Sequence, residues 1–541
     1  LAGRISLGGN SMSEILLQYK RPDPATWVYL SSFLTIGLFF VFHRFWSLRN
    51  VDLVLLILLA PGLLMVHEGR KRRLVEFEHA ANSAAADPLN ESPPAAADES
   101  ESPPPDSNSN SSSDTEASLN ATTSRDDVSA DQVDSAEADA TDSETMLGTK
   151  IGEINQAVVM SSVEVERYGF VWLLSVQVLI LLRLIFDPMM VRRPLLEPNL
   201  TTGGMLFLGV WLFIFMMANV ITSTPRIQIE QGPQLGPGYS LMKMLPAIPT
   251  RPVEDAILGA NSQVDSGPAP VYVTLARILA ITAHLGIVTG IIGIGYRHFN
   301  NSRSGVGCAM LYLLLPYTAQ LTGRVDHALP AVLLVWAVLS YRRPYIAGLF
   351  LGAAGGLVYY PLFLLPLWIS FYWLRGVTRF AGGALTALAI MVALLVVNRV
   401  VADDNVVDGV VVGASESLGQ MLVKMFGLMM PPMKDLSGIW GLGWEPMYRL
   451  PILVAFLILS GFLAIWPAQK NLGTLIGCSA AMMVGAQFWH AHGGGLYMAW
   501  FLPLLLLTIF RPNLEDRVAL KVIDGGRASS ATKPRVAVDA A

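Results

Sequence analysis

Residues 323–366 constrain the fold more than any other stretch. A Gly-Arg-Val-Asp-His turn leads into the apolar run 328–340. Tyr341-Arg342-Arg343-Pro344 follows, and further apolar runs fill 345–357 and 360–374. Connections this short leave little room for soluble layers. Within hydrocarbon every backbone N–H and C=O must be satisfied inside its own segment, so such runs are expected to be membrane helices. The whole chain agrees, being 52% hydrophobic and 15% charged. Soluble domains carry a larger charged fraction. The alternating ten-residue strands of an outer-membrane barrel are absent.

The expected fold class is therefore all-α, a polytopic helical membrane protein with about 11–13 transmembrane helices. Candidate spans are 27–43, 51–66, 168–186, 205–222, 272–296, 305–320, 328–340, 345–357, 360–374, 380–401, 450–466, 472–489 and 496–510. Pro61-Gly62 is expected to kink or break the second span, and Arg70 to Arg73 to close it. Several spans are shorter than the roughly 20 residues a bilayer needs, which predicts tilted, re-entrant or cavity-facing helices. Four segments result: 1–73 with two spans, 74–149 as an acidic insert, 150–511 as the main membrane domain, and a basic polar tail, 512–541.

The formal net charge of −5 hides an asymmetry. Residues 74–149 hold 18 acidic side chains and one basic one, Arg125, so the remainder of the chain carries +12. The insert is low in complexity and nearly free of aromatic residues; it cannot bury enough apolar surface to order itself, and it is expected to be disordered. Its sequons at Asn90 and Asn120 are read as chance matches. A helix is expected over 418–430, interfacial or re-entrant. Lys/Arg bias puts Arg342, Arg343, Arg375, Arg379, Lys470, Arg511, Arg517 and Lys521 on the cytoplasmic side. The loops 225–270, 321–327, 402–449 and 490–495 then face outward, and the long first one can cover a cavity mouth. The same count sends Arg70 to Arg73 outward, against the usual bias. Met12 is one candidate start residue, and no cleavable signal peptide is evident.

No Gly-Lys-Ser/Thr phosphate loop and no dinucleotide fingerprint occur, which argues against ATP-driven transport within this chain. Cys308 and Cys478 each sit in an apolar run and read as small buried hydrophobes. Candidate chemistry lies at the membrane boundary. Arg324, Asp326 and His327 bring three titratable groups together between two spans, where ionisable groups are costly and often functional; the plainer alternative is an exposed Arg324–Asp326 pair. Asp187 ends a span, as a possible acid or base or as an ordinary helix-end charge. His490 and His492 precede three glycines and suit interfacial hydrogen bonding or a metal. Trp489 and Tyr497 beside them suit an aromatic belt or a sugar platform, and Trp444 and Glu445 pair an aromatic ring with a carboxylate in another loop. Gly348, Gly352 and Gly356 form a small-residue stripe expected to serve close helix packing.

The turn Gly323-Arg324-Val325-Asp326, the Arg342-Arg343-Pro344 step, Ala347-Gly348, Leu351-Gly352, Pro361 and Leu365-Pro366 resemble one family. It is the C-class integral-membrane glycosyltransferases, in their mannosyltransferase-like bacterial branch. The resemblance covers about 45 residues, besides the span count and the large outer loops. Val358 stands where the family has Lys, and the family's first-loop carboxylate has only Asp52 or Asp187 as short acidic counterparts here. The resemblance implies sugar transfer from a polyprenyl-phosphate-sugar to an extracytoplasmic acceptor, in a bacterial inner membrane. Asp326 or Asp187 would be the base and Arg324 the phosphate contact. His327, Trp444, Glu445, His490 and His492 would line the substrate site, and a divalent metal is an open cofactor. The other classes considered are a transporter or flippase and a non-catalytic membrane scaffold. The lipid bilayer is the expected environment, and nucleic acid is not an expected partner.

Overall fold

The computed structural model describes residues 24–86, 162–190, 196–223, 270–373, 375–402, 436–468 and 470–512, with Tyr239, Met242, Leu245, Pro246 and Ile248 from the loop before residue 270. About 81% of this described part is helical, and no strand forms in it. The insert from 87 to 161, with Asn90 and Asn120, and the expected helix over 418–430 lie outside the described residues.

The chain divides into two units, Leu1–Lys71 with Glu164–Ala541, and Arg72–Val163. In the second unit the described part is the last turns of one helix and residues 162–163. There Ser162 Oγ donates to Glu76 Oε2 at 3.1 Å.

The described helices are α1 (Pro24–Phe39), α2 (Leu48–Ala86), α3 (162–185), α4 (Thr202–Thr222), α5 (Pro270–Arg297), α6 (Ser302–Leu314), α7 (Pro316–Gln320), α8 (Val325–Leu339), α9 (Pro344–Leu357), α10 (Leu365–Phe371), α11 (Val377–Ala402), α12 (Arg449–Ile465), α13 (Leu472–Trp489) and α14 (Leu502–Phe510). Among the described residues seven helices are long and apolar enough to cross a membrane. Four shorter apolar ones, Ala25–Phe39, Val325–Leu339, Pro344–Leu357 and Tyr360–Phe371, lie beside them. The protein is thus an all-α chain of the multi-pass membrane type.

Two span readings needed correction. α2 runs unbroken through Pro61 and past Arg70–Arg73 to Ala86. The carbonyl of Leu58, next to the Ile57 carbonyl that Pro61 leaves without its ladder donor, accepts the Trp172 indole N–H at 2.7 Å, which ties this turn to a neighbouring helix. Beyond Arg73 the Ala- and Glu-rich sequence is a good helix former and carries the helix on. The run 305–320, by contrast, is split. Leu315 is extended, φ −63° and ψ 137°, because a residue before proline avoids the helical region.

The small-residue stripe packs as its spacing suggests. A Cβ placed on Gly348 would lie 2.0 Å from the Phe380 carbonyl oxygen of α11, and one on Gly352 2.4 Å from that of Ala384. The backbones of α9 and α11 meet only because those positions lack side chains. Gly348→Ala is therefore expected to destabilise the protein by about 1–3 kcal/mol through forced separation of the two helices. Gly382→Ala, where nothing lies within 4 Å, is the control and should be near neutral. Thermal unfolding of both variants in detergent checks this, and equal midpoints would show that the close approach carries no stability.

The helices run between two ends. At one end Tyr372 donates to the Tyr341 carbonyl at 2.6 Å, Lys470 bonds Ser370 Oγ at 3.1 Å, and Arg511 bonds Asp187. At the other end the turn at Arg324, the residues around Ser437 and the loop after α13 converge. Ser437 N–H donates to the Ala491 carbonyl at 3.0 Å, and Gly493 N–H to that of Ser437 at 3.2 Å. Arg70 belongs to this second end, with its Nη2 3.9 Å from the position a Gly493 Cβ would take.

Candidate functional site

Gly323 opens the site. A Cβ there would sit 1.9 Å from the Ile248 carbonyl oxygen, so a bare backbone lets the long loop lie directly on the turn. Arg324 is the N-cap of α8, extended at φ −89° and ψ 98°, and Asp326 lies in the helix's first turn, where a carboxylate is favoured by the exposed N–H groups. Arg324 grips Asp326 with two bonds, Nε to Oδ1 at 3.0 Å and Nη2 to Oδ2 at 2.9 Å. The carboxylate is 2% exposed and the guanidinium side chain 28%. An open surface pair would not be buried on one side only. His327 Nε2 is 3.6 Å from Asp326 Oδ2, and its Nδ1 is 2.8 Å from the Tyr317 hydroxyl.

From His327 a column of rings runs inward. His327 stacks on Tyr497 with centroids 4.4 Å apart, Tyr497 on His490 at 4.5 Å, and His490 on Tyr360 at 4.6 Å. Trp489 and Trp500 flank Tyr360 at 5.0 and 5.4 Å. The backbone of the loop is held by buried amides. Gln487 Oε1 accepts from the N–H groups of Gly495 and Tyr497, both at 3.2 Å, while Gln177 Nε2 donates to the Gly495 carbonyl at 2.8 Å. His492 N–H donates to His490 Nδ1 at 3.0 Å, which leaves the proton of the neutral imidazole on Nε2. Tyr239, from the covering loop, feels Asp326, Arg324 and Tyr497, and burial with the Asp326 charge pushes its phenol well above the ordinary value.

The site residues expected from sequence thus fall into three groups. Arg324, Asp326, His327, His490 and His492 meet at one end of the helices. Trp444 and Glu445 are exposed, and Trp444 stands 5.5 Å from the Arg167 guanidinium, so neither joins the buried cluster. Asp187 lies elsewhere. Its Oδ1 accepts from Arg183 at 2.8 Å and its Oδ2 from Arg511 at 2.5 Å, and its side chain is 0% exposed. Arg183 also grips Asp52 at 2.8 and 3.0 Å. Asp187 packs at Gly477, near the start of α13, whereas His490 follows the helix end. Thirteen residues at about 1.5 Å each separate those positions by roughly 20 Å. Asp187 and Asp326 therefore cannot share one reaction centre.

Trp489 and Tyr497 are buried inside the protein, at 2% and 6%, so neither belongs to a lipid-facing belt. Tyr239, Arg449, Gln487 and Trp500 were not singled out from sequence. For Gln487 a signal existed, an amide within an otherwise apolar span. Among the described residues no group of three His, Cys, Asp or Glu side chains is placed to hold a metal. Cys308 and Cys478 are both buried and unpaired as thiols.

No family model matches the chain, and neither a curated protein nor a solved structure does.

Proposed function

We propose that the chain is a glycosyltransferase-like enzyme of the bacterial cytoplasmic membrane, crossing it about 11–13 times and moving a sugar from a polyprenyl-phosphate-sugar to an extracytoplasmic acceptor. The observation that supports this best is the Arg324–Asp326 pair: a buried carboxylate behind a half-open guanidinium, roofed by Ile248 and Tyr239 and backed by stacked rings. A phosphate brought to the open side of Arg324 competes with Asp326 for the same fork of N–H groups. Asp326, released from one of its two bonds, then accepts the proton of the acceptor hydroxyl. The acceptor oxygen bonds to the anomeric carbon, the bond from that carbon to phosphate oxygen breaks, and polyprenyl phosphate leaves with the electron pair, held by Arg324. The base is thus armed only when donor is loaded. Val358, fully buried in the protein, takes no part, so Arg324 is the cation of this site. Asp187 is not assigned a role in it.

Purified protein in lipid nanodiscs, given a panel of polyprenyl-phosphate-sugars with acceptor glycans, is expected to release polyprenyl phosphate from at least one donor. Folded protein that releases none from any donor overturns this reading, and a transporter or scaffold then takes its place.

A further inference from the structure

Four buried donors sit on neighbouring rings in the inner part of the ring column. Trp489 Nε1, Trp500 Nε1, Tyr360 Oη and His490 Nε2 have no hydrogen-bond partner among the described residues. Their residues are 0–2% exposed: His490 0%, Tyr360 1%, Trp500 1% and Trp489 2%. They are neighbours, with Tyr360 within 5.4 Å of the other three rings and His490 5.7 Å from Trp500. Fifteen buried side-chain polar atoms among the described residues have no hydrogen-bond partner, and the grouping of four donors on mutually neighbouring rings is what points to an occupant. The set also has one character. Both indoles can only donate, the imidazole donates because its Nδ1 is already taken by His492, and the phenol donates freely. The stacked faces are used by the rings themselves, so what remains is edges carrying hydrogen.

The surrounding charge has one sign. Arg449, 5% exposed, bonds the Trp489 carbonyl at 2.6 Å through Nε and lies 5.8 Å from the Trp489 ring. It acts electrostatically on both Tyr360 and His490, and no acidic side chain acts on either. Neutral donors beside a buried cation recognise oxygen atoms carrying negative charge.

We propose that Tyr360, His490, Trp489 and Trp500, with Arg449 behind them, form a binding site for a phosphate-type oxyanion. The donors alone define this site. It rests on the transferase reading only if the oxyanion proves to be lipid-borne, and binding is read without turnover. Two sources of the same chemistry are open, free phosphate and the phosphate headgroup of a lipid.

Intact protein in nanodiscs is titrated calorimetrically with inorganic phosphate, with farnesyl phosphate and with farnesol. Saturable binding of farnesyl phosphate but not farnesol is expected. Binding of inorganic phosphate as well would make free anion the ligand, and its absence would make the headgroup the ligand. Tyr360→Phe removes one hydroxyl and keeps the stack, and Trp500→Phe removes one N–H; each is expected to weaken binding about tenfold, the size of one lost hydrogen bond to a charged group. Size-exclusion profiles and thermal midpoints matching wild type establish that both variants fold. Wild-type affinity in both folded variants overturns the site, as does equal binding of farnesol and farnesyl phosphate. Absence of any phosphate binding by folded wild-type protein also overturns it and leaves water as the partner of these donors. Phosphate binding without sugar transfer would retain this site and remove the transferase.

Discussion

Replacing Arg183 with methionine is expected to cost the protein about 3–5 kcal/mol of stability, the usual consequence of removing one member of a buried ion-pair network. Arg183 is the centre of that network. It gives two bonds to Asp52 and one to Asp187, and its side chain is only 9% exposed. Methionine fills a similar volume but returns none of those bonds, and two carboxylates keep their charge with less to hold it. Arg511 still bonds Asp187. The double variant Arg183→Met with Asp52→Asn should recover part of the loss, because the neutral amide costs less to bury than the carboxylate. Thermal midpoints in detergent at fixed pH measure both. A single variant as stable as wild type would show that these charges set no part of the folding energy. The network also joins distant sequence, α2 to α3 through Asp52 and Arg183 and both to the end of α14 through Arg511.

The helices were legible because hydrocarbon allows the backbone few alternatives, and an apolar run therefore reads almost directly as a helix. Their interruptions were less so. Proline at 61 and proline at 316 present the same local chemistry, yet one helix continues and the other breaks. Trp172, more than a hundred residues away, gives the turn before Pro61 a donor, and no local pattern reveals that. The site was legible as a set of loops. The turn 321–327 and the loop 490–495 were grouped at one end from Lys/Arg counting, and Asp326 and His490 do meet there through His327 and Tyr497. The placing of Asp187 was not legible. A carboxylate at a helix end looks the same whether it faces a substrate or two arginines; its partner Arg511 lies 324 residues after it, and Asp52, which shares Arg183 with it, 135 residues before it. Tyr239 and Arg449 were invisible for a related reason, since a single tyrosine in a loop or arginine at a helix start carries no signal until the chain brings it to the cluster.

Asp326→Asn is expected to lower the rate of sugar transfer by about 10²–10⁴, the range of a lost general base. The folded protein should remain. Asparagine keeps the shape of aspartate, and its oxygen still accepts one bond from Arg324, so the turn retains a partner. The loss should fall on kcat, while the donor KM should stay the same or fall, since the neutral amide competes less with the phosphate for Arg324. Arg324→Lys should behave in the opposite sense. Lysine cannot reproduce the two parallel bonds Arg324 gives Asp326, nor grip a phosphate with a planar fork. Its main effect should be a higher donor KM. That pair of results separates chemistry from scaffolding. A purely structural pair would lower stability in both variants and leave no split between kcat and KM. Full transfer by a folded Asp326→Asn protein would remove the base assignment altogether, while an Arg324→Lys protein with unchanged donor KM would move the phosphate away from this guanidinium and towards the donors around Tyr360 and His490.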